Sequence, residues 1–545
     1  DCIVNNINIQ LLPPDTNSGT NASGILGMTL ANATLENCDV KNSEIYSTGK
    51  YGYGTYSGAT VGGVAGTVGG YAIVTDCDVN NTKITSTRGA NAAGILACTY
   101  NSGSPSSYKN CTVTNSDITL LSTTALARGN SVAAGLLANS NSQVTNVENC
   151  KVENTNITGN GAITAGIVAN SDFVIVKGSS VKDVNIKDKS EEFDGHTLKA
   201  SGGIVARAQN ASIEDVKVEN TNFDVRGNSV GGVIGSVTNL KRLKDCTVDN
   251  IEINEMMTPM INGTLTVKGY LPATGCGVAG LVGDIYASGS EEFINNKVIN
   301  SRINTDVNVI GGLFGMTNCD DITIKDSEVN NVKINGINEN SAITIGSAGG
   351  VVGNNAGTLN IDNVNVKNSS VIINGTDSQM RNVGGIIGFT TDASITNSNV
   401  ENTKVSNNTQ GSTGGLVGMT KKTHDTKPIE SEVKVISSNV LGESSVDGSN
   451  HTGGIIGFGR LNLTDSKVEN TTITGNGENC DVGGIIGNAL PTSVLKNSDV
   501  KSAIITALGN VDGIAGYEDC LITNCNVIDS KVGVKEKNED EITNS

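Results

Sequence analysis

Along the chain, short blocks of small and aliphatic residues alternate with polar blocks rich in Asn, Thr and Ser, and the alternation repeats from end to end. Residues 383–405, VGGIIGFTTDASITNSNVENTKV, hold one full phrase. Its apolar half, small-Gly-apolar-apolar-small, lines up about fifteen times, as in VGGVAG at 61, VGGVIG at 230, AGGVVG at 348 and VGGIIG at 482. The second glycine never varies, from Gly24, Gly63 and Gly94 through Gly385 to Gly513. The polar half follows the register C/S-x-V-x-N-x-x-I, as in CDVKNSEI from Cys38, CTVTNSDI from Cys111 and SNVENTKV from Ser398. Its valine recurs from Val4 to Val527 at spacings of 27 to 50 residues, with a mean near 35.

A period of this length marks a repeat architecture. No segment keeps apolar residues at helical spacing for ten residues, which excludes helical repeats. Gly, Asn, Thr, Ser and Val favour short strands and turns. A propeller blade would need four strands per repeat and an aromatic signature, and the chain has no Trp. The pattern therefore predicts an all-β fold, a right-handed parallel β-helix (β-solenoid) of about sixteen coils with loop insertions. It forms a single domain over residues 1–545. Coils spaced about 4.8 Å apart would build a rod roughly 70 Å long. Ile386-type positions, the Val400 column and the Ser/Cys column two residues before it should point inward. Gly385 and its equivalents should sit where backbones approach closely. The Asn402 column (Asn42, Asn81, Asn115, Asn154, Asn220, Asn250) should form an amide ladder at a corner.

Several segments interrupt the repeat and are read as insertions, near 46–60, 99–109, 187–199, 254–277 (with Met256, Met257 and Met260) and 421–432. A polar tail covers 533–545. Seven of the ten tyrosines lie in the first 108 residues, Tyr46, Tyr51, Tyr53, Tyr56, Tyr71, Tyr100 and Tyr108, all but Tyr71 in two of these insertions. Exposed aromatic loops stack on sugars or anchor partner surfaces, so these seven are the candidate ligand contacts. The competing reading packs them against the side of the solenoid.

The block GGLVG at 414–418 resembles the GLUG repeat of bacterial cell-surface proteins. That resemblance extends over nearly the whole chain and implies an extracellular, surface-attached location. Members of this kind include the non-catalytic parts of some surface metalloproteases, but no protease motif occurs here.

Composition sharpens the expectation. A net charge of −18 disfavours nucleic acid. No apolar run reaches transmembrane length, so no membrane insertion is expected. Seven of the twelve cysteines occupy the C/S position (Cys2, Cys38, Cys77, Cys111, Cys150, Cys246, Cys525), where Ser, Asn or Val elsewhere stands in, so the site wants a small inward side chain. Thiols rather than disulfides or metal ligands are expected there. His196, His424 and His451 fall in loops without a catalytic arrangement. The prediction is thus a non-enzymatic structural or adhesive element with no catalytic, cofactor-binding or metal residues. Its expected partners are a glycan or a host or cell-surface protein, with end-to-end self-association or continuation in a longer chain. The alternative is a carbohydrate-active β-helix enzyme of the polysaccharide lyase or glycosidase type, which would need paired carboxylates on one face. Ice binding would need an exposed Thr column, and the run Ser43, Thr82, Ser116, Thr155 breaks at Val184. Coil one starts at Cys2 and Val4, so its open edge is expected to be covered by upstream chain or a neighbouring subunit.

Overall fold

The computed structural model describes residues 2–535 apart from 13–19, 49–58, 88–89, 101–102, 122–130, 161–162, 189–198, 227–228, 256–276, 287–289, 307–308, 339–345, 376–380, 421–430 and 518. The described residues contain strands and turns and no helix, and so no helix long and apolar enough to cross a membrane. The chain divides into two units, Asp1–Ala287 and Ser288–Ser545, built from the same coil.

One coil of the first unit shows the plan. A valine strand (Asp78–Asn80) leads to an isoleucine strand (Lys83–Thr87) and a glycine strand (Asn91–Ala93). A fourth strand (Leu96–Thr99) and a fifth (Ser106–Lys109) return the chain to the next valine strand. The second unit repeats this as Asn399–Glu401, Lys404–Asn407, Thr413–Gly414, Val417–Thr420 and Val433–Ile436. In some coils the fourth and fifth strands fuse, as in Val205–Glu214 and Ile387–Thr396. Strands of one kind pair in parallel and in register, with Val40 opposite Val4 and Val79, and Val400 opposite Val366 and Val440. This is a parallel β-helix, with eight of the sixteen valine strands in each unit.

The corners explain the Asn-rich half of the repeat. Asn42, Asn81 and Asn402 all have φ near +50°. Only Gly, Asn and Asp adopt this left-handed conformation readily. The expected ladder is present: Asn81 Nδ2 donates to Asn42 Oδ1 at 2.8 Å, and Asn250 Nδ2 to Asn220 Oδ1 at 2.8 Å. A second ladder, not anticipated from the repeat, occupies the corner before the valine strand. There Asn37, Asp76, Asn110 and Asn149 also have positive φ, and Asn110 Nδ2 donates to Asp76 Oδ1 at 2.9 Å. Gly178 takes that corner in the next coil, at φ +60°.

Between the corners, side chains alternate. Val79, Val113 and Val400 are fully buried, as are Ile84, Ile386 and Ile118. Each contributes roughly 1.5–3 kcal/mol by leaving water. The Ser/Cys column is buried too, and its role is one shared hydrogen bond. Cys77 Sγ donates to Thr75 O at 3.3 Å, Cys111 Sγ to Lys109 O at 3.4 Å, and Ser398 Oγ to Thr396 O at 2.7 Å. Thiol and hydroxyl interchange because both fit one small inward space and satisfy the same carbonyl. All eleven described cysteines are thiols. The Ser43, Thr82, Ser116, Thr155 column is likewise buried, with Ser116 Oγ donating to Thr114 O at 2.8 Å, so it offers no flat outer face to ice.

Changes in coil length fall mainly at two places, apart from one extra residue between Leu441 and Ser445. One lies between the isoleucine and glycine strands, as from Glu255 to Gly277; the other lies between the fourth and fifth, as from Thr420 to Val433. The expected insertions largely coincide with these places. Most of 46–60, 187–199, 254–277 and 421–432, with the Met256, Met257 and Met260 cluster, lies outside the described residues, as does 536–545 of the tail. The segment 99–109 is a correction in part, because Ser106–Lys109 forms a regular fifth strand.

The glycine pair is dictated by contact. A Cβ on Gly385 would lie 2.0 Å from Gly415 O of the next coil and 2.9 Å from Val400 Cγ2. Replacing Gly385 with Ala is expected to destabilise the protein by about 1–3 kcal/mol in urea unfolding, because backbone cannot yield as a side chain can. Gly533→Ala, where a Cβ meets nothing within 4 Å, is the matched control and should leave the transition unmoved. Equal transitions for the two variants would refute the close-approach account. The thiols supply a second expectation. Burial pushes Cys98 and Cys246 up to about 12. Alkylation at neutral pH followed by peptide mapping should therefore modify only the half-exposed Cys2, Cys520 and Cys525 among the described thiols, the rest reacting after denaturation. Label on native Cys77 or Cys111 would contradict this packing.

Candidate functional site

The αL corner that follows each valine strand sets the backbone direction for the isoleucine strand, and this repeated geometry makes a surface furrow in the first unit. A shallow, open groove of about 460 Å³ runs over successive coils there, lined by Asn6, Asn42, Asn81 and Asn115 from the corner and by Glu44 and Lys83 from the isoleucine strands. The corner amides are held in place by the neighbouring coil, Asn81 Nδ2 donating to the corner Asn42 and Asn42 Nδ2 to the strand residue Asn5 Oδ1 at 2.9 Å. Such a ladder presents amide groups at every coil, about 4.8 Å apart. The charged lining is internally matched. Lys83 Nζ lies 3.1 Å from Glu44 Oε1, and both side chains are largely exposed, so the pair adds little stability. Asp117 Oδ1, also in the groove, accepts from Asn156 Nδ2 at 2.7 Å, and Asn185 continues that ladder. The groove is thus a row of neutral hydrogen-bonding groups whose two carboxylates are already engaged. That suits recognition of a hydroxylated or amide-bearing ligand.

The described tyrosines do not assemble into one site. Tyr46 is half-buried on an isoleucine strand, opposite Gln10 and Thr85, in the same coils as the groove. Tyr71 is half-buried at the start of a fifth strand, its N–H donating to Asn32 Oδ1 at 3.2 Å. Tyr100 is half-buried beside the Cys98 thiol. Tyr108 is fully buried: it stands in the core column between Val74 and Val147, and its hydroxyl has no hydrogen-bond partner. It therefore supports the core instead of facing a ligand, because alternation along Ser106–Lys109 turns it inward together with Ser106. Tyr51, Tyr53 and Tyr56 lie outside the described residues, as do His196 and His424.

A buried carboxylate was not anticipated. Asp284 sits in the last coil of the first unit, almost wholly buried, with Ser229 Oγ donating to its Oδ2 and no partner for Oδ1. Burial pushes its carboxyl up to about 8, against the Ser229 hydroxyl and the Gly277 N–H that favour the charged form. The aspartate lies in GLVGDI, seven residues after Gly277, and the repeat pattern alone gives no sign that its side chain is enclosed. With the folded value raised above the unfolded one, the folded chain holds the proton longer. The resulting stability is complete below the ordinary carboxyl range and is lost as pH rises through about 8. Asp284→Asn is expected to flatten that loss in thermal unfolding followed from pH 4 to pH 9. An unchanged pH profile would show that Asp284 is not the titrating group.

Comparison with known proteins adds one finding. The family model of the GLUG motif matches residues 381–406. That span covers the glycine strand Arg381–Gly384, the fused strand Ile387–Thr396 and the valine strand Asn399–Glu401, and it ends inside the isoleucine strand. The motif is therefore one coil without its variable corner, and the chain carries it. No curated protein and no solved structure matches the chain.

Proposed function

We propose that this β-helix, built on the GLUG motif, is an extracellular structural and adhesive element, a stalk or fibre section of a cell-surface protein that presents loops to a glycan or protein partner. One observation carries the reading. Chain length varies chiefly at two places in the coil, while the corner between the valine and isoleucine strands keeps its length in every coil but the one at Gly442. A scaffold of that kind tolerates new sequence at fixed positions without disturbing its core, which is how repeat folds acquire binding surfaces.

The location and the adhesive role have separate tests. Antibodies raised against the chain should label intact, unpermeabilised cells that produce it, and labelling only after permeabilisation would overturn the surface location. The purified chain should bind saturably on a glycan array or in a surface-protein pull-down. That binding should fall at least tenfold when 48–58 is replaced by a short turn. Absence of any saturable ligand would defeat the adhesive role and leave a purely structural one.

A further inference from the structure

The Gly-Gly turn brings the residue that opens each glycine strand against the residue seven positions later. Thr60 and Thr67 meet this way, hydroxyl to hydroxyl at 2.9 Å. In the second unit the same pairing places two columns side by side on the surface. One runs through His451, Asp481 and Asn510, in register. The other runs through Phe389, Met419, Phe458, Asn488 and Tyr517, also in register.

The second column carries an aromatic ring on every second coil. Phe389 and Phe458 are half-buried, and Tyr517 is 58% exposed. Two coils make about 10 Å, so the rings repeat at that interval. This is close to the length of a disaccharide unit in an extended β-linked chain. The first column supplies ordered polar groups beside the rings. The Asp481 carboxylate accepts from Asn488 at 2.8 Å and Asn510 at 2.9 Å, and lies 3.0 Å from His451 Nδ1. The His451 ring lies against Phe458, with centroids 5.1 Å apart and a 31° tilt. These contacts fix the polar side chains before any ligand arrives, which lowers the entropy lost on binding.

A partly exposed ring matches the C–H face of a pyranose, and amide, imidazole and carboxylate groups at its edge match equatorial hydroxyls. The net charge of −18 and the Asp481 carboxylate disfavour an anionic polymer. We propose that the Phe389–Phe458–Tyr517 column is a binding strip for a neutral, extended, β-linked polysaccharide lying along the direction in which the coils stack. This rests on the adhesive reading and gives it a ligand class.

Titration calorimetry of the whole chain with cello- and chito-oligosaccharides of two, four and six units tests the strip, with polygalacturonate as the anionic counterpart. Affinity should rise more than tenfold from the dimer to the tetramer, the first length that spans two rings. Phe458→Leu, which keeps apolar volume but removes the ring, should weaken tetramer binding about tenfold. Phe458→Tyr should retain it, and the triple variant Phe389→Leu, Phe458→Leu, Tyr517→Leu should abolish it at an unchanged melting temperature. Binding that is independent of oligomer length, equal for polygalacturonate, or intact in the folded triple variant would overturn the strip. If the triple variant keeps the array binding that depends on 48–58, the adhesive reading survives and the strip alone falls.

Discussion

Every feature of this protein answers to parallel, in-register stacking of coils about 4.8 Å apart. A position in one coil has as neighbours the same position above and below, so a side chain must suit its own copies. The tightest expression of this is the second glycine of the pair. Its N–H reaches the next coil's backbone, as Gly385 N does to Gly414 O at 3.2 Å, and its α-carbon faces the next glycine carbonyl. No other residue fits, and the chain accordingly permits none.

Where the constraint is looser, substitution follows chemistry. The buried position two residues before each valine needs only a small side chain, and where that side chain is Cys or Ser it donates to the carbonyl two residues back, whereas Val216 and Val364 simply fill the space. Cys and Ser donate with the same geometry, which is why so many cysteines coexist without pairing. The left-handed corners need a residue that tolerates positive φ, and Asn adds a side-chain bond to the neighbouring coil that Gly cannot make. Positions flanking the glycine turn obey neither rule. They are where Arg207, Asp284, His451 and Phe458 appear, each changing from coil to coil. A repeat protein concentrates its individuality at such positions.

Two equivalent positions, one Asp and one Asn, show how much burial matters. Asp284 and Asn488 stand at the same place in their coils. Asp284 is enclosed with one oxygen unpartnered, whereas Asn488 is half-buried and donates to Asp481. The first is a local source of pH-sensitive instability; the second helps to hold an ordered polar surface.

The fold was legible in the sequence because stacking writes itself into the chain as a period. Gly385, Val400, Ser398 and Asn402 each recur in register, and the structure places all four as their residue types require. The second Asn and Asp ladder, at Asn37, Asp76 and Asn110, is equally visible in the sequence, one residue before each C/S position. Tyr108 is placed only by the strand Ser106–Lys109, whose alternation turns it inward with Ser106, since SGSPSSY reads locally as a loop. The furrow beside Asn81 and the pairing of His451 with Phe458 and Asp481 were not legible at all. They join residues seven positions or a whole coil apart, and the distance between such residues is set by a backbone turn and by packing against the next coil. The sequence determined which residues repeat; the tertiary structure decided which of the non-repeating ones meet.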